Sequence, residues 1–230
     1  MQPFHRECIR PNLKSIVPDK MRRRPLDARG YPVPWFVAWI AGKPDFRIVD
    51  PNKFHLAIDK RRCWLCGQPV GKYATFVVGL MCIVNHTSAE PPSHLECAKF
   101  AARGCPFLTI PEAQYRASKL PDHVRSNPGM LSHNPEVCAL WTTSEWQTFT
   151  AIGPDGERGT LVEFGEPKSV SYWREGREAT PAEVRDAFYK RLPVLQAAAE
   201  QEGGTAPQVL AARVDAALFW FPEVSECRSG

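Results

Sequence analysis

The chain has 230 residues and a formal net charge of +4, with 43% hydrophobic and 10% aromatic residues, enough for a buried core and too apolar for a disordered chain. Its longest apolar run, Phe76 to Val84, is too short to cross a bilayer, and no basic flank followed by an apolar stretch opens the sequence. The eight cysteines therefore read as reduced thiols and metal ligands of a cytoplasmic protein rather than as disulfides, and the sequon at Asn85-His86-Thr87 as incidental.

The charge is uneven along the chain. Residues 1–62 carry 14 Lys+Arg against 6 Asp+Glu, whereas residues 126–230 carry 9 against 15. The basic third holds two clusters, Lys20, Arg22, Arg23 and Arg24, then Lys60, Arg61 and Arg62, which are the candidate nucleic-acid contacts. The same residues also read as a solvated face or as a match for the acidic end of the chain.

After the first cluster, Val33 to Ile40 reads as a strand, Gly42-Lys43-Pro44 as a turn and Asp45 to Val49 as the returning strand. Asp50 is placed to cap a helix starting at Pro51, with Phe54, Ala57 and Ile58 on one face. Trp35 and Trp39 sit in an apolar run and read as core aromatics before base-stacking ones.

Next come the only places where metal ligands recur at metal-ligand spacing. Cys63-Trp64-Leu65-Cys66-Gly67 lets two thiolates converge on a tight turn, and in Ser93-His94-Leu95-Glu96-Cys97 the His94 and Cys97 side chains, three apart, share a helix face. Four soft or borderline donors in two close pairs suit one tetrahedral structural Zn²⁺. Between the pairs, Tyr73 to Val78 and Leu80 to Val84 read as a hairpin turning at Gly79. Ser93 and Glu96 read as a capping box opening a helix that stops at Gly104. Cys82 falls in an apolar stretch and reads as a buried thiol, and Cys105, eight residues past Cys97 on the helix, as too distant to share the metal unless the helix ends early.

From Cys105 to Asn134 prolines break the periodicity, leaving a short helix at Pro111 to Leu120 and a boundary or connecting arm near 121–135. Beyond it, Val137–Thr142, Trp146–Ile152, Gly159–Phe164 and Ser169–Trp173 read as short strands of an antiparallel meander, with Pro154-Asp155-Gly156 as a turn. Thr180-Pro181-Ala182-Glu183 is a capping box launching a helix, which Pro193 should kink or split and Gly203-Gly204 should stop. A last helix starts at Thr205, with Gln208 in the box position, and ends before Pro222. No internal repeat, phosphate-cradling glycine loop or nucleophile elbow is present.

Knuckle, hairpin and a helix that gives two ligands from its first turn is an order that resembles a treble-clef zinc finger over residues 63–103. Val84-Asn85-His86 also resembles the position at which HNH-type nucleases carry a general-base histidine. That resemblance implies metal-dependent phosphodiester cleavage with His86 as base beside Asn85. The sequence departs from the family: only seven residues separate His86 from His94, no mid-loop Asn is present, and His94 cannot serve two metals. The stretches Asp27-Ala28-Arg29-Gly30-Tyr31-Pro32-Val33-Pro34, Glu90-Pro91-Pro92-Ser93-His94 and Cys105-Pro106-Phe107-Leu108, with the knuckle, resemble uncharacterised proteins encoded by bacteria and their phages. That likeness implies a cytoplasmic setting and no activity.

The sequence thus predicts an α+β chain. Residues 1–125 would form a basic N-terminal hairpin and a zinc-stabilised treble-clef module, and residues 126–230 an acidic β-meander with C-terminal helices. The function expected is non-enzymatic binding, to nucleic acid or to a host protein complex as a phage-encoded inhibitor or regulator would bind. An HNH-like nuclease is the alternative, and no small-molecule substrate or membrane is implied.

Overall fold

In the computed structural model, residues 8–114, 132–153, 156 and 158–223 are described. The chain is mixed α+β with antiparallel sheets and C-terminal helices. Two short 3-10 turns, Pro11–Leu13 and Asp19–Arg23, bury Leu13 and Met21 and precede the strands β1 (Val37–Ile40) and β2 (Lys43–Val49). These pair as the expected hairpin, with an irregularity between Val37 and Ala38. The Asp50 carboxylate accepts from the Asn52 and Lys53 amides to start α1 (Pro51–Asp59), where Pro51 has no amide to leave unpaired.

The hairpin expected between the ligand pairs is not formed. β3 (Ala74–Gly79) runs straight into a helix, α2 (Leu80–Asn85), where the sequence predicts a second strand. Leu80, Ile83 and Val84 are buried at i, i+3 and i+4, so helical spacing prevails over the strand preference of the β-branched pair. β3 finds its partner in β5 (Cys138–Thr143). α2 ends at His86, which adopts left-handed backbone (φ +53°) before the two-residue β4 (Thr87–Ser88). α3 (Leu95–Gly104) and the short α4 (Pro106–Thr109) follow. The helix expected at 111–120 is described only as a turn at Pro111 and Glu112, and most of the expected arm at 121–135 lies outside the described residues.

The four strands predicted after residue 136 are present: β5, β6 (Trp146–Ile152), β7 (Arg158–Phe164) and β8 (Ser169–Arg174). They do not make one meander. β5 is flanked by β3 and β8, with the two-residue β9 (Arg177–Glu178) beyond, while β6 and β7 form a hairpin whose inner strand pairs with β4. β5 is buried at all six positions, as an uncharged central strand should be, and a central strand needs partners on both edges. The β3–β5 and β4–β7 ladders join residues from the two sides of the boundary expected near 121–135.

α5 (Pro181–Glu202) opens on the predicted capping box: the Thr180 hydroxyl accepts from the Glu183 amide and the Glu183 carboxylate accepts from the Thr180 amide. It continues through Pro193, which lies on the exposed side of the helix. Gly203, at φ +74°, ends it, and α6 (Ala206–Leu218) folds back on it. Thr205 precedes α6 but its side chain makes no capping bond.

The β3–β5–β8 sheet is covered on both faces. Phe76, Val78, Ala139 and Trp141 pack with α2, α5, α6 and Phe164. Val77, Leu140 and Trp173 pack on the other side with Ala98 and Ala102 of α3. This second contact holds α3, with His94 and Cys97 at its start, against the centre of the fold. No helix among the described residues is long and apolar enough to cross a membrane.

Candidate metal centre

Cys63 and Cys66 lie on a turn closed by rungs of backbone bonds: Val70 N–H to Arg61 O (2.7 Å), Cys63 N–H to Gln68 O (2.8 Å) and Gly67 N–H to Cys63 O (2.8 Å). Gly67 has φ +78°, and a Cβ there would sit 2.6 Å from the Trp35 ring, so both the turn and its packing require glycine. Trp35 is fixed in turn by donating its amide to Leu65 O at 2.7 Å.

The second pair is delivered by a different anchor. Ser93 exchanges both backbone bonds with Thr75 of β3, at 2.8 Å each, which pins the chain just ahead of α3. The expected Ser93–Glu96 capping box is not formed. His94 is the residue that precedes the helix, its side chain is turned to the thiols, and Glu96 instead accepts an ion pair from Lys20 at 2.6 Å. A carboxylate in the first turn still suits the helix dipole.

The Sγ atoms of Cys63, Cys66 and Cys97 and a His94 ring nitrogen all lie within 4.8 Å of one another, so the four residues can hold a metal ion. His94 Nδ1 is 3.4 Å from Cys66 Sγ and 3.9 Å from Cys97 Sγ. Its Nε2 donates to the Pro69 carbonyl at 2.9 Å, which leaves Nδ1 as the nitrogen facing the sulfurs. The amides of Cys66 and His94 point at Cys63 Sγ, at 3.5 and 3.4 Å. All three cysteines are free thiols and buried.

The charges in this pocket oppose one another as they do at a thiolate site. Burial raises the Cys63 thiol, but hydrogen bonds from Cys66, Cys97 and His94 outweigh it and hold Cys63 well below the ordinary thiol range. Hydrogen bonds to Cys63 and Cys66 raise His94 to about 10, and those to Cys63 and Cys66 with burial push Cys97 far up. A metal bound between these side chains would displace their protons.

Cys105 and Cys82 are not in the cluster. Cys82 lies in α2 rather than in a strand, and burial pushes its thiol up to about 11; burial likewise raises Cys105, and pushes Cys138 up to about 12. Thiols raised in this way carry little thiolate at neutral pH.

The basic candidates are largely tied to the protein itself. Besides Lys20, Arg22 pairs with Asp19 at 2.9 Å, Arg24 Nε donates to Val33 O at 3.0 Å, and Arg62 donates to Gly67 O at 3.0 Å, bracing the metal turn. Arg61 lies 4.4 Å over the Trp146 ring, while Arg23 and Lys60 are exposed. His86 follows a helix rather than the second strand of a hairpin. Its ring stacks on Phe164 at 5.5 Å and its Nδ1 lies 3.0 Å from the Phe164 carbonyl, with Asn85 at the end of α2.

Sequence reasoning did not single out Trp64, which is 3% exposed and stacks on Phe36 at 4.6 Å and edge-on to Phe54 at 5.8 Å. It joins β1 and α1 to the metal turn. Nor did it single out Glu90, whose carboxyl burial raises to about 6. Trp64 lies inside the first ligand pair and Glu90 just ahead of the second, the one signal by which they were to be found. Comparison of the chain with protein-family models, with curated proteins and with solved structures found no match.

Proposed function

We propose that the chain is a zinc-stabilised binding protein in which the metal supports the fold and takes no part in catalysis, and that its partner is another protein. The observation that carries this is the closed donor set. Three cysteines and one histidine fill a tetrahedral ion's four positions, and all are buried or nearly so. A catalytic ion keeps one position for water or substrate. Zn²⁺ bonded at about 2.0–2.3 Å places its donors roughly 3.4–3.8 Å apart, a spacing the His94 nitrogen and the Cys66 sulfur already have. A metal turn followed by a ligand-bearing helix start retains the two ends of a treble clef, with β3 and α2 in place of its hairpin.

Protein is favoured over nucleic acid because Lys20, Arg22, Arg24 and Arg62 are engaged within the chain. A nuclease role for His86 is disfavoured by its bond to Phe164 O and its stacked ring. A host complex bound by a phage-encoded regulator fits this reading. Cobalt substitution tests the closed site. The Co²⁺ protein should show the absorption of a tetrahedral thiolate site, unchanged by added azide. A spectrum that shifts with azide would reveal an open position and overturn the structural role. Fluorescence anisotropy with single- and double-stranded DNA and RNA at low salt tests the partner class: binding that weakens steeply with salt would overturn the preference for protein.

A further inference from the structure

Among the outermost strands of the described sheets, all but one are blunted. β4 and β9 are two residues long, β3 is bridged at Thr75 by Ser93 and turns directly into α2, and β1–β2 carries an irregularity with Lys43, Pro44, Asp45 and Arg47. These are the usual devices against edge pairing. β6, the outer strand of the β4–β7–β6 sheet, has none of them. Trp146-Gln147-Thr148-Phe149-Thr150-Ala151-Ile152 contains no charge and no proline, pairs with β7 in unbroken register, and leaves Phe149 and Ile152 exposed at 40% and 69%.

Which backbone groups face outward follows from the bonds at the other edge of β7. Phe164 N–H bonds to His86 O on the β4 side, and Gly165 N–H bonds to Glu145 O on the β6 side. Odd-numbered residues of β7 therefore bond β6, so by the paired register Gln147, Phe149 and Ala151 spend their N–H and C=O on β7. The N–H and C=O of Trp146, Thr148, Thr150 and Ile152 point to the free edge.

We propose that β6 pairs antiparallel with β6 of a second copy of this chain, about a two-fold axis at Phe149. This goes beyond the binding role and stands independently of it. The register is the one the strand's own pattern favours. Thr148 meets the partner copy's Thr150 and Trp146 meets Ile152 as hydrogen-bonded pairs, using the outward groups, while Phe149 meets Phe149 in the closer, non-bonded position. Glu145 falls opposite Gly153, so no like charges meet along the edge. A strand that pairs antiparallel with itself about one residue makes the isologous contact of a two-fold interface, and it continues the sheet from one copy into the other. An edge of this length is smaller than a standard stable interface, so the dimer forms with a concentration dependence in the micromolar range or weaker.

Sedimentation of the full metal-loaded chain over a concentration series tests this. Wild type should pass from monomer to dimer. Thr148→Pro removes one outward amide, a change edge strands tolerate, and should weaken the dimer at least tenfold while circular dichroism and metal content stay unchanged. Phe149→Lys and Phe149→Glu should each be monomeric and, mixed in equal amounts, should form a heterodimer. A wild type that stays monomeric to the highest concentration reached, a dimer indifferent to these substitutions, or a Lys/Glu mixture that fails to associate would each overturn the proposal.

Discussion

The His94 Nε2 lies 2.9 Å from the Pro69 carbonyl oxygen, and this bond settles which face of the imidazole meets the sulfurs. It leaves Nδ1 aimed at the thiols, as a candidate ligand tethered from its other nitrogen would be. His94→Ala should reduce metal affinity by orders of magnitude and lower the melting temperature, whereas His94→Cys should retain one ion per chain in an all-sulfur site. Metal content and thermal unfolding of the two variants check this. An alanine variant that holds its ion as tightly as wild type would remove His94 from the ligand set.

Gly67→Ala should be costly for two reasons that add at one atom. The residue sits at φ +78°, and the new methyl meets Trp35 ring carbons at 2.6–2.8 Å. Strain and displacement of the ring together should destabilise by about 2 kcal/mol or more and weaken metal binding. Gly71→Ala, where a Cβ meets nothing within 4 Å, is the control and should change urea unfolding little.

Trp64→Ala should lose roughly 3–5 kcal/mol, since a buried indole between Phe36 and Phe54 leaves a cavity where β1, α1 and the metal turn meet. Trp64→Phe keeps an aromatic face against Phe36 and should lose clearly less. Urea denaturation followed by circular dichroism distinguishes the two, and equal losses would show that the stacking is not what the site uses.

Glu90 sets a pH dependence of unusual sign for a carboxylate. Burial raises its carboxyl from 4.5 to about 6. The folded state therefore binds this proton more tightly than the unfolded one, so the contribution to stability is full below about pH 4.5 and is lost as pH rises through about 6. The difference amounts to about 2 kcal/mol. Glu90→Gln removes it, so the variant should gain on wild type between those limits and hold its advantage at neutral pH. Pairwise urea unfolding at each pH cancels the proton competition at the metal ligands, which both proteins share. A difference that does not change with pH would refute the assignment.

Much of the local chemistry was legible in the sequence, the caps expected at Ser93 and Thr205 excepted, and long-range pairing was not. The caps at Asp50 and Thr180, the β1–β2 turn and the convergence of Cys63, Cys66, His94 and Cys97 each depend on residues within a few positions of one another or on fixed ligand spacing. Leu80 to Val84 was misread because Leu80, Ile83 and Val84 satisfy a helical stripe while the whole stretch is apolar enough to pass for a strand. The sheets could not be drawn because β3 bonds to β5 across 59 or more residues, and nothing in either strand names the other. Lys20 and Glu96 illustrate the same limit for charge: a cation that looks available in sequence meets its carboxylate only in the fold.

The most direct test of the account is elemental analysis of the purified chain beside His94→Ala/Cys97→Ala. One zinc per wild-type chain, absent from the double variant, is the result expected if the four-residue cluster is a structural zinc centre. A wild type without zinc, or a metal that survives the loss of both ligands, would contradict it.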